Sequence, residues 1–227
     1  MKRSKDTARI QDYINSHDLT TTLPIDDTYY LMYYEQGEQI CSQGDELQSL
    51  AILVEGKVKI YTTSMEGRHL ILSFKNALEV IGDIEYIQKV EILNTVEAVT
   101  NVVMLCIPLD QVDKLYEEKI FLHFILQEIT RKFYNKSHAL SLNVMHPVEM
   151  RLASYIVATC CNEGHHRPLA TAHLPDVASF IGTSYRHINR VIQKLCERQL
   201  LERTRECIYV KDEKELRALA NDHIYGE

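Results

Sequence analysis

Four side chains that can form hydrogen bonds with base edges and phosphates lie on one face of a predicted helix near the end of the chain. They are Tyr185, Arg186, Asn189 and Arg190, and their spacing turns them away from the apolar side of that helix. Guanidinium and amide groups presented in this way are typical of a helix that enters the DNA major groove. With their polar neighbours they give a candidate DNA-contacting set: Ser184, Tyr185, Arg186, His187, Asn189, Arg190 and Lys194.

The residues around this set predict the helix-turn-helix that would present it. Ala178 is the small residue needed where the second helix crosses the first, and Gly182 tolerates the positive φ of a tight turn. Ser184 is a predicted N-cap. The apolar stripe that would face inward is Ile188, Val191, Ile192 and Leu195. A packed helical hairpin without a DNA role matches the same pattern, so residues 174–195 alone leave both interpretations open.

Charge is distributed unevenly along the 227 residues, whose net charge is −7. Residues 1–145 hold 14 Lys and Arg against 21 Asp and Glu, whereas residues 146–227 hold 11 of each kind. Within residues 184–205, six basic residues stand against two acidic ones. A phosphate backbone would be attracted to that segment and repelled elsewhere, although a solvated helix face can have the same composition.

The first part of the chain predicts an antiparallel β jelly-roll barrel, and the fold class of the whole chain is α+β. A polar helix is predicted over residues 6–15, and short apolar runs then alternate with glycine-bearing turns through residues 29–107. Strands of four to eight residues at a turn spacing of about ten are typical of this architecture.

A long helix with an apolar seam is predicted from Asp110 to Met145, a stretch without Gly or Pro. The seam residues recur at heptad-like spacing: Leu122, Leu126, Ile129, Phe133, Leu140 and Val144. A helix of this length spans roughly 50 Å, which is more than one barrel covers. We therefore expect the first five of these residues to contact a twin helix across a twofold axis, and packing on the chain's own barrel is the alternative.

A winged helix is predicted after the long helix. Pro147 lacks an amide donor and disfavours helical geometry at His146, so the long helix should end there. A helix over residues 148–160, the helix-turn-helix and a β-hairpin over residues 200–211 then follow. The predicted domains are a sensor barrel at 1–108, a dimerisation helix at 109–145 and a winged helix-turn-helix at 146–227.

In this order the elements resemble the Crp/Fnr family of bacterial transcription regulators over nearly the whole chain. The barrel is similar to the family's cyclic-nucleotide-binding-like domain in its turns at Gly37–Glu38, Gly44–Asp45 and Gly56–Lys57. The segments IGDIE and GTSYRH, at residues 81–85 and 182–187, most resemble the YeiL branch. The resemblance implies a homodimer that regulates transcription as an activator or a repressor. Its two recognition helices would lie about 34 Å apart on a palindromic operator. RNA polymerase is a further candidate partner.

The predicted recognition helix departs from the family's usual pattern. Only Arg190 keeps the type that the pattern has, and Arg186 replaces the usual acidic or serine reader. A cytosine contact is thereby lost, and contact with guanine or phosphate is favoured. The operator sequence therefore does not follow from the family.

The resemblance also assigns an effector pocket, which would be formed by Gly82, Asp83, Ile84, Glu85, Asn94 and Thr95. Cyclic-nucleotide-binding members carry an Arg-Ser pair about ten residues after the equivalent glycine. Here Leu93, Asn94 and Thr95 stand in its place, and no arginine occurs between Arg68 and Arg131. Because a guanidinium fork is what best holds the cyclic phosphate, we expect another small-molecule effector or none, and a cyclic-AMP-dependent regulator is a minor alternative.

The cysteines leave redox and metal alternatives open. Oxygen-sensing members hold an iron–sulfur cluster with cysteines bunched near the N-terminus, whereas Cys41 is the first cysteine here, so no cofactor is expected. Cys41 and Cys106 leave a redox switch as an alternative. The group that has metal-binding residue types is Cys160, Cys161, His165 and His166, but adjacent helical cysteines point about 100° apart. We therefore expect no metal.

Two further function classes compete with DNA binding. A metal enzyme built on the barrel would need converging histidines, yet His69 is the only histidine between Asp18 and Asp110, so no enzyme is expected. A module that binds only proteins would not need a basic recognition face. No stretch approaches eighteen apolar residues and the N-terminus lacks a signal-like apolar core, so we expect a cytoplasmic protein without membrane contact.

Overall fold

The computed structural model describes residues 1–65, 69–162 and 165–220, without the side chains of Leu142, Asn162, His165 and His166. The chain divides into two compact units, Met1–Lys132 and Phe133–Glu227. The three-domain division at residues 108 and 145 stays a prediction.

The first unit contains two antiparallel sheets. Its strands are β1 (Lys2–Ser4), β2 (Tyr30–Tyr34), β3 (Gln39–Cys41), β4 (Ser49–Glu55), β5 (Val58–Thr63), β6 (His69–Lys75), β7 (Glu79–Ile81), β8 (Thr95–Ala98) and β9 (Val102–Pro108). One sheet has the order β1-β2-β9-β4-β7 and the other the order β3-β8-β5-β6. Every pairing is antiparallel, which confirms the predicted β architecture.

The helices of this unit are α1 (Thr7–Ser16), α2 (Asp83–Gln88), α3 (Leu109–Leu115) and the start of α4 (Lys119–Met145). The central strand β9 is buried on both faces because its side chains alternate between two cores. Leu105 and Ile107 pack in a cluster with residues of α1, α3 and α4. Met104 and Cys106 pack in a second cluster, which joins residues of the two sheets. The two cores together fix the barrel and the helices that cover it.

The predicted continuous helix from Asp110 to Met145 is wrong in its first part. A turn at residues 116–118 separates α3 from α4, and the amides of Glu117 and Glu118 donate to carbonyls three residues back. Tyr116 packs edge-on against Tyr86, with ring centroids 5.5 Å apart. The helix is thus interrupted without a Gly or Pro, at a turn where Tyr116 makes a tertiary contact. The predicted end holds, since α4 stops at Met145, before Pro147.

The second unit is a winged helix, as predicted. Its elements after α4 are α5 (Val148–Cys160), β10 (Cys161–Asn162), β11 (His165–His166), β12 (Leu169–Ala170), α6 (Leu174–Phe180), α7 (Tyr185–Glu197), β13 (Leu201–Arg203), β14 (Cys207–Val210) and α8 (Glu213–Ala220). Strands β12, β14 and β13 form an antiparallel sheet in that order. One apolar cluster joins α5, α6, α7, α8 and this sheet. In the described part of the chain, no helix has both the length and the apolar character needed to cross a membrane.

Candidate nucleic-acid interface

The turn between α6 and α7 has the geometry that its residues predict. Gly182 adopts a φ of +66°, in the left-handed region that favours glycine. Ala178 is buried, and its carbonyl accepts a hydrogen bond of 2.8 Å from the amide of Thr183. The Ser184 hydroxyl oxygen accepts from the amide of His187 at 3.1 Å, so Ser184 is the N-cap of α7. The start of α7 is therefore fixed by three local features.

Arg151 on α5 also holds this turn, and the sequence alone did not identify it. Its side chain is buried, and its Nη1 donates to the carbonyl of Ile181 at the end of α6. A Cβ at Gly182 would lie 3.3 Å from the same Nη1. Because a guanidinium is an efficient partner for an unpaired helix-end carbonyl, Arg151 acts as a side-chain cap for α6.

The outer face of α7 carries the predicted DNA-contacting residues. Tyr185, Arg186, His187, Arg190 and Lys194 are exposed. The inward stripe is fully packed, and Ile188, Ile192 and Leu195 are each 0% exposed. Asn189 differs from its neighbours because it is half-buried. The structure thus separates an apolar face from a basic one, while contact of these residues with DNA stays a prediction.

The wing strand β13 is bonded to α7 through one polar pair. Arg203 Nη1 donates to Asn189 Oδ1 at 2.6 Å, and Asn189 Nδ2 donates to the carbonyl of Tyr185 at 2.7 Å. A shallow depression lies between α7 and β13 and is lined by Asn189, Arg190, Gln193, Cys196 and Arg203. Another basic residue of the segment, Arg198, is bonded to Glu149 at 2.5 Å. The basic residues of segment 184–205 therefore differ in how readily their guanidinium groups could bind a phosphate, since Arg198 is paired with a carboxylate and Arg203 with an amide.

The seam residues of α4 are exposed, apart from one. Leu122 is 38% exposed, Leu126 62%, Phe133 72% and Leu140 64%. Ile129 is partly buried and packs against the core that lies under the helices of the first unit. Large apolar side chains left in water along one stripe of a helix are typical of an interface with a partner.

The predicted effector residues lie where β7 passes into α2 and where the chain returns as β8. Gly82 has a φ of +95° and precedes α2, and Asp83 is only 3% exposed. The Glu85 carboxylate accepts from the amide of Leu93 at 3.2 Å. The Thr95 hydroxyl oxygen accepts from the amide of Gln43 at 3.1 Å. Ile84 and Asn94 are half-buried. These hydrogen bonds shape the loop, and binding of an effector stays a prediction.

Asp83 is bound by a lysine that the sequence did not connect with it. Lys132 Nζ on α4 donates to both carboxylate oxygens of Asp83, at 2.8 and 2.7 Å, and to the carbonyl of Val80 at 2.6 Å. Glu79, also 3% exposed, accepts from Arg131 Nη2 at 2.9 Å and lies 3.4 Å from Lys75 Nζ. The start of α2 is thereby tied to α4 by a buried network of ion pairs.

The thiols of the barrel are poorly suited to a redox switch. Burial raises the pKa of Cys41 and of Cys106 to about 12, which keeps both protonated at neutral pH. In the other unit, Cys160 and Cys161 are both buried. The side chains of His165 and His166 lie outside the described residues, and among those described no group of three or more His, Cys, Asp and Glu could hold a metal ion.

We expect Cys41 and Cys106 to react slowly with iodoacetamide at pH 8, because about one thiol in 10⁴ is ionised when the pKa lies about four units above the pH. Mass spectrometry of the labelled peptides measures this, with the half-buried Cys207 as the internal comparison. Labelling of Cys106 as fast as that of Cys207 would reopen the redox alternative.

Comparison with known proteins places both units in recognised domain families. The cyclic nucleotide-binding domain family matches residues 31–119, and the Crp-like helix-turn-helix domain family matches residues 150–219. Regulatory protein YeiL of Escherichia coli O157:H7 is 26% identical over 191 residues, which cover 84% of this chain and 85% of that protein. Nitrogen fixation regulation protein FixK of Rhizobium meliloti is 26% identical over 193 residues, covering 83% and 86%.

A solved structure agrees with these sequence matches. A transcriptional regulator of the CRP/FNR family from Thermus thermophilus superposes with a TM-score of 0.71 at 18% identity, covering 84% of this chain and 98% of that one. At that identity the structural likeness establishes the fold alone.

Proposed function

The chain belongs to the Crp/Fnr family of transcription regulators, and we propose that it acts as a homodimer that binds a palindromic DNA operator through α7 of each protomer. The observation that carries this proposal is the basic outer face of α7, on which Arg186 and Arg190 are exposed beside Tyr185. Two such faces related by a twofold axis would read two half-sites about 34 Å apart.

The exposed seam on α4 supports the homodimer. A second copy of the same seam is the simplest surface that would cover Leu126, Phe133 and Leu140, since a twofold axis brings identical stripes together. A dimer would also double the number of phosphate contacts, which raises affinity for a two-part site.

The proposal also covers the location of the protein, its partners and its dependence on an effector. We place the protein in the cytoplasm, with DNA as its target and RNA polymerase as a further partner, and assign it no enzyme activity. An effector that used the Asp83 carboxylate would have to share it with Lys132, which donates to both oxygens. The proposal also includes a dimer that binds DNA without an effector.

Salt dependence tests DNA binding. Fluorescence anisotropy with a labelled duplex should show affinity that falls steeply between 50 and 200 mM salt, because phosphate contacts release counterions (about 0.9 ion per contact). If no duplex of any sequence binds at 50 mM salt, the proposal is lost.

Arg190→Ala should weaken binding to the operator by about 1–3 kcal/mol, or roughly 5- to 150-fold, and should relax the preference at one base pair of each half-site. The operator for this test is the duplex that the wild-type protein enriches from a randomised pool. Arg198→Ala is the matched control, since that guanidinium is already bonded to Glu149. An unchanged operator affinity would remove Arg190 from the readers.

A further inference from the structure

We propose that Arg203, on the wing strand, binds a phosphodiester of the DNA backbone and that Asn189 is the residue that positions it. The inference rests on the proposed function, since it assigns two residues within the same DNA-binding surface. It changes the role predicted for Asn189, from a reader of bases to a support for a guanidinium.

The hydrogen bonds of Asn189 indicate that its side chain supports Arg203 and does not read a base. Both polar atoms of its amide are engaged within the protein: Oδ1 accepts from Arg203 Nη1 at 2.6 Å, and Nδ2 donates to the Tyr185 carbonyl at 2.7 Å. An asparagine that reads adenine must turn both of these atoms toward one base edge. The half-buried side chain of Asn189 is instead fixed at both ends, between the first turn of α7 and the wing.

The residues that line the depression between α7 and β13 favour an anionic ligand. Two of its five lining residues, Arg190 and Arg203, are arginines, and none of the five is acidic. The neighbouring Glu202 lies 3.5 Å from Lys211, and successive side chains of a strand point to opposite faces. One carboxylate is bonded to the lining, since Gln193 Nε2 donates to Glu197 Oε1 at 3.3 Å. The two arginines still outnumber it, and the planar fork of arginine matches the oxygens of a phosphodiester.

The backbone that follows Arg203 in the wing is tied down by two threonines. The amide of Thr171 donates to the Glu206 carbonyl at 2.8 Å, and its single hydroxyl hydrogen is shared between the carbonyls of Arg205 and Glu206, each 3.0 Å from the hydroxyl oxygen. The Thr204 hydroxyl closes the wing turn by donating to the Cys207 carbonyl at 3.0 Å. The Arg203 side chain itself is held by its bond to Asn189 Oδ1, so it loses less conformational freedom when it binds than a free side chain would. Arg203 is therefore suited to fix how far the wing lies from the phosphates that border the major groove.

Two substitutions at position 203 distinguish the effect of the positive charge from that of the guanidinium hydrogen bonds. Arg203→Gln removes the charge but keeps a donor for Asn189, whereas Arg203→Lys keeps the charge and loses the fork. Anisotropy would be measured from 50 to 200 mM KCl with two labelled 30-base-pair duplexes, the one enriched by the wild-type protein and a scrambled one. For Arg203→Gln we expect the slope of log affinity against log salt to become shallower by about 1. At about 100 mM KCl we expect the affinities for the two duplexes to fall by a similar factor of about eight. Arg203→Lys should retain the wild-type slope.

Asn189→Ala tests the positioning role in two backgrounds. We expect it to weaken binding to both duplexes alike when Arg203 is present, and to have no further effect in the Arg203→Gln protein. Thermal unfolding by circular dichroism checks that each variant is folded.

A wild-type slope in a folded Arg203→Gln protein would overturn the phosphate contact. A loss of affinity for the enriched duplex alone, equal in both backgrounds, would make Asn189 a base reader. Failure of the wild-type protein to bind either duplex would instead overturn the proposed function.

Discussion

Replacing both Phe133 and Leu140 with aspartate is expected to convert the proposed dimer into monomers and to lower operator affinity by about 10²–10⁴-fold. Both side chains are large, apolar and more than half exposed on α4, at 72% and 64%. Burying four carboxylates in a twofold interface without partners is prohibitive, so the two copies should separate. A single half-site contact then loses the effective concentration that the other protomer supplied. Sedimentation velocity measures the assembly state, and anisotropy measures the affinity.

Tyr134→Asp is the matched control for the seam. Tyr134 is 64% exposed on the same helix but lies about 100° around the axis from Phe133. We expect this variant to stay dimeric and to bind the operator with nearly wild-type affinity. If the double variant is still a dimer at micromolar concentration, α4 is not the interface.

Lys132→Met is expected to destabilise the Met1–Lys132 unit by about 3–5 kcal/mol. The loss arises because Asp83 stays buried at 3% exposure while both of its oxygens lose their partner. The carbonyl of Val80 loses a bond of 2.6 Å as well. Urea unfolding followed by circular dichroism measures the change, since the chain has no tryptophan to report it by fluorescence.

Two further variants show whether the buried pair causes that loss. Asp83→Asn in the Lys132→Met background should recover part of the stability, because a neutral amide replaces the uncompensated charge. Lys136→Met removes an exposed lysine one turn further along α4 and should change stability by less than about 0.5 kcal/mol. A Lys132→Met protein as stable as the wild type would mean that the network contributes little.

The fold was predictable wherever local rules and tertiary packing agree. Residues 148–160 form α5 with the predicted bounds, because Pro147 both ends one helix and precedes the next. Gly182 and Ser184 specified the turn and the N-cap of α7 by their own backbone and side-chain preferences. The local pattern did not predict the break at residues 116–118, where Tyr116 packs on Tyr86, a contact between residues far apart in sequence.

The sequence predicted which residues of the candidate site are exposed, but it did not predict which side chains are bonded to each other. The periodicity of α7 separated the exposed Arg186 and Arg190 from the buried stripe. It could not show that Asn189 is bonded to Arg203, which lies 14 residues later on another element. The pairing of Asp83 with Lys132 spans 49 residues and depends on how α4 crosses the barrel. Such contacts follow from the tertiary fold, and a single sequence carries no signal for them.

The most direct test of a dimeric DNA reader is selection of bound duplexes from a randomised pool, followed by footprinting of the wild-type protein on the enriched duplex. We expect an inverted repeat whose half-sites are centred about 10–10.5 base pairs apart, with both half-sites protected together as protein is added. Enrichment of no sequence, or protection of one isolated half-site by a monomer, would contradict it.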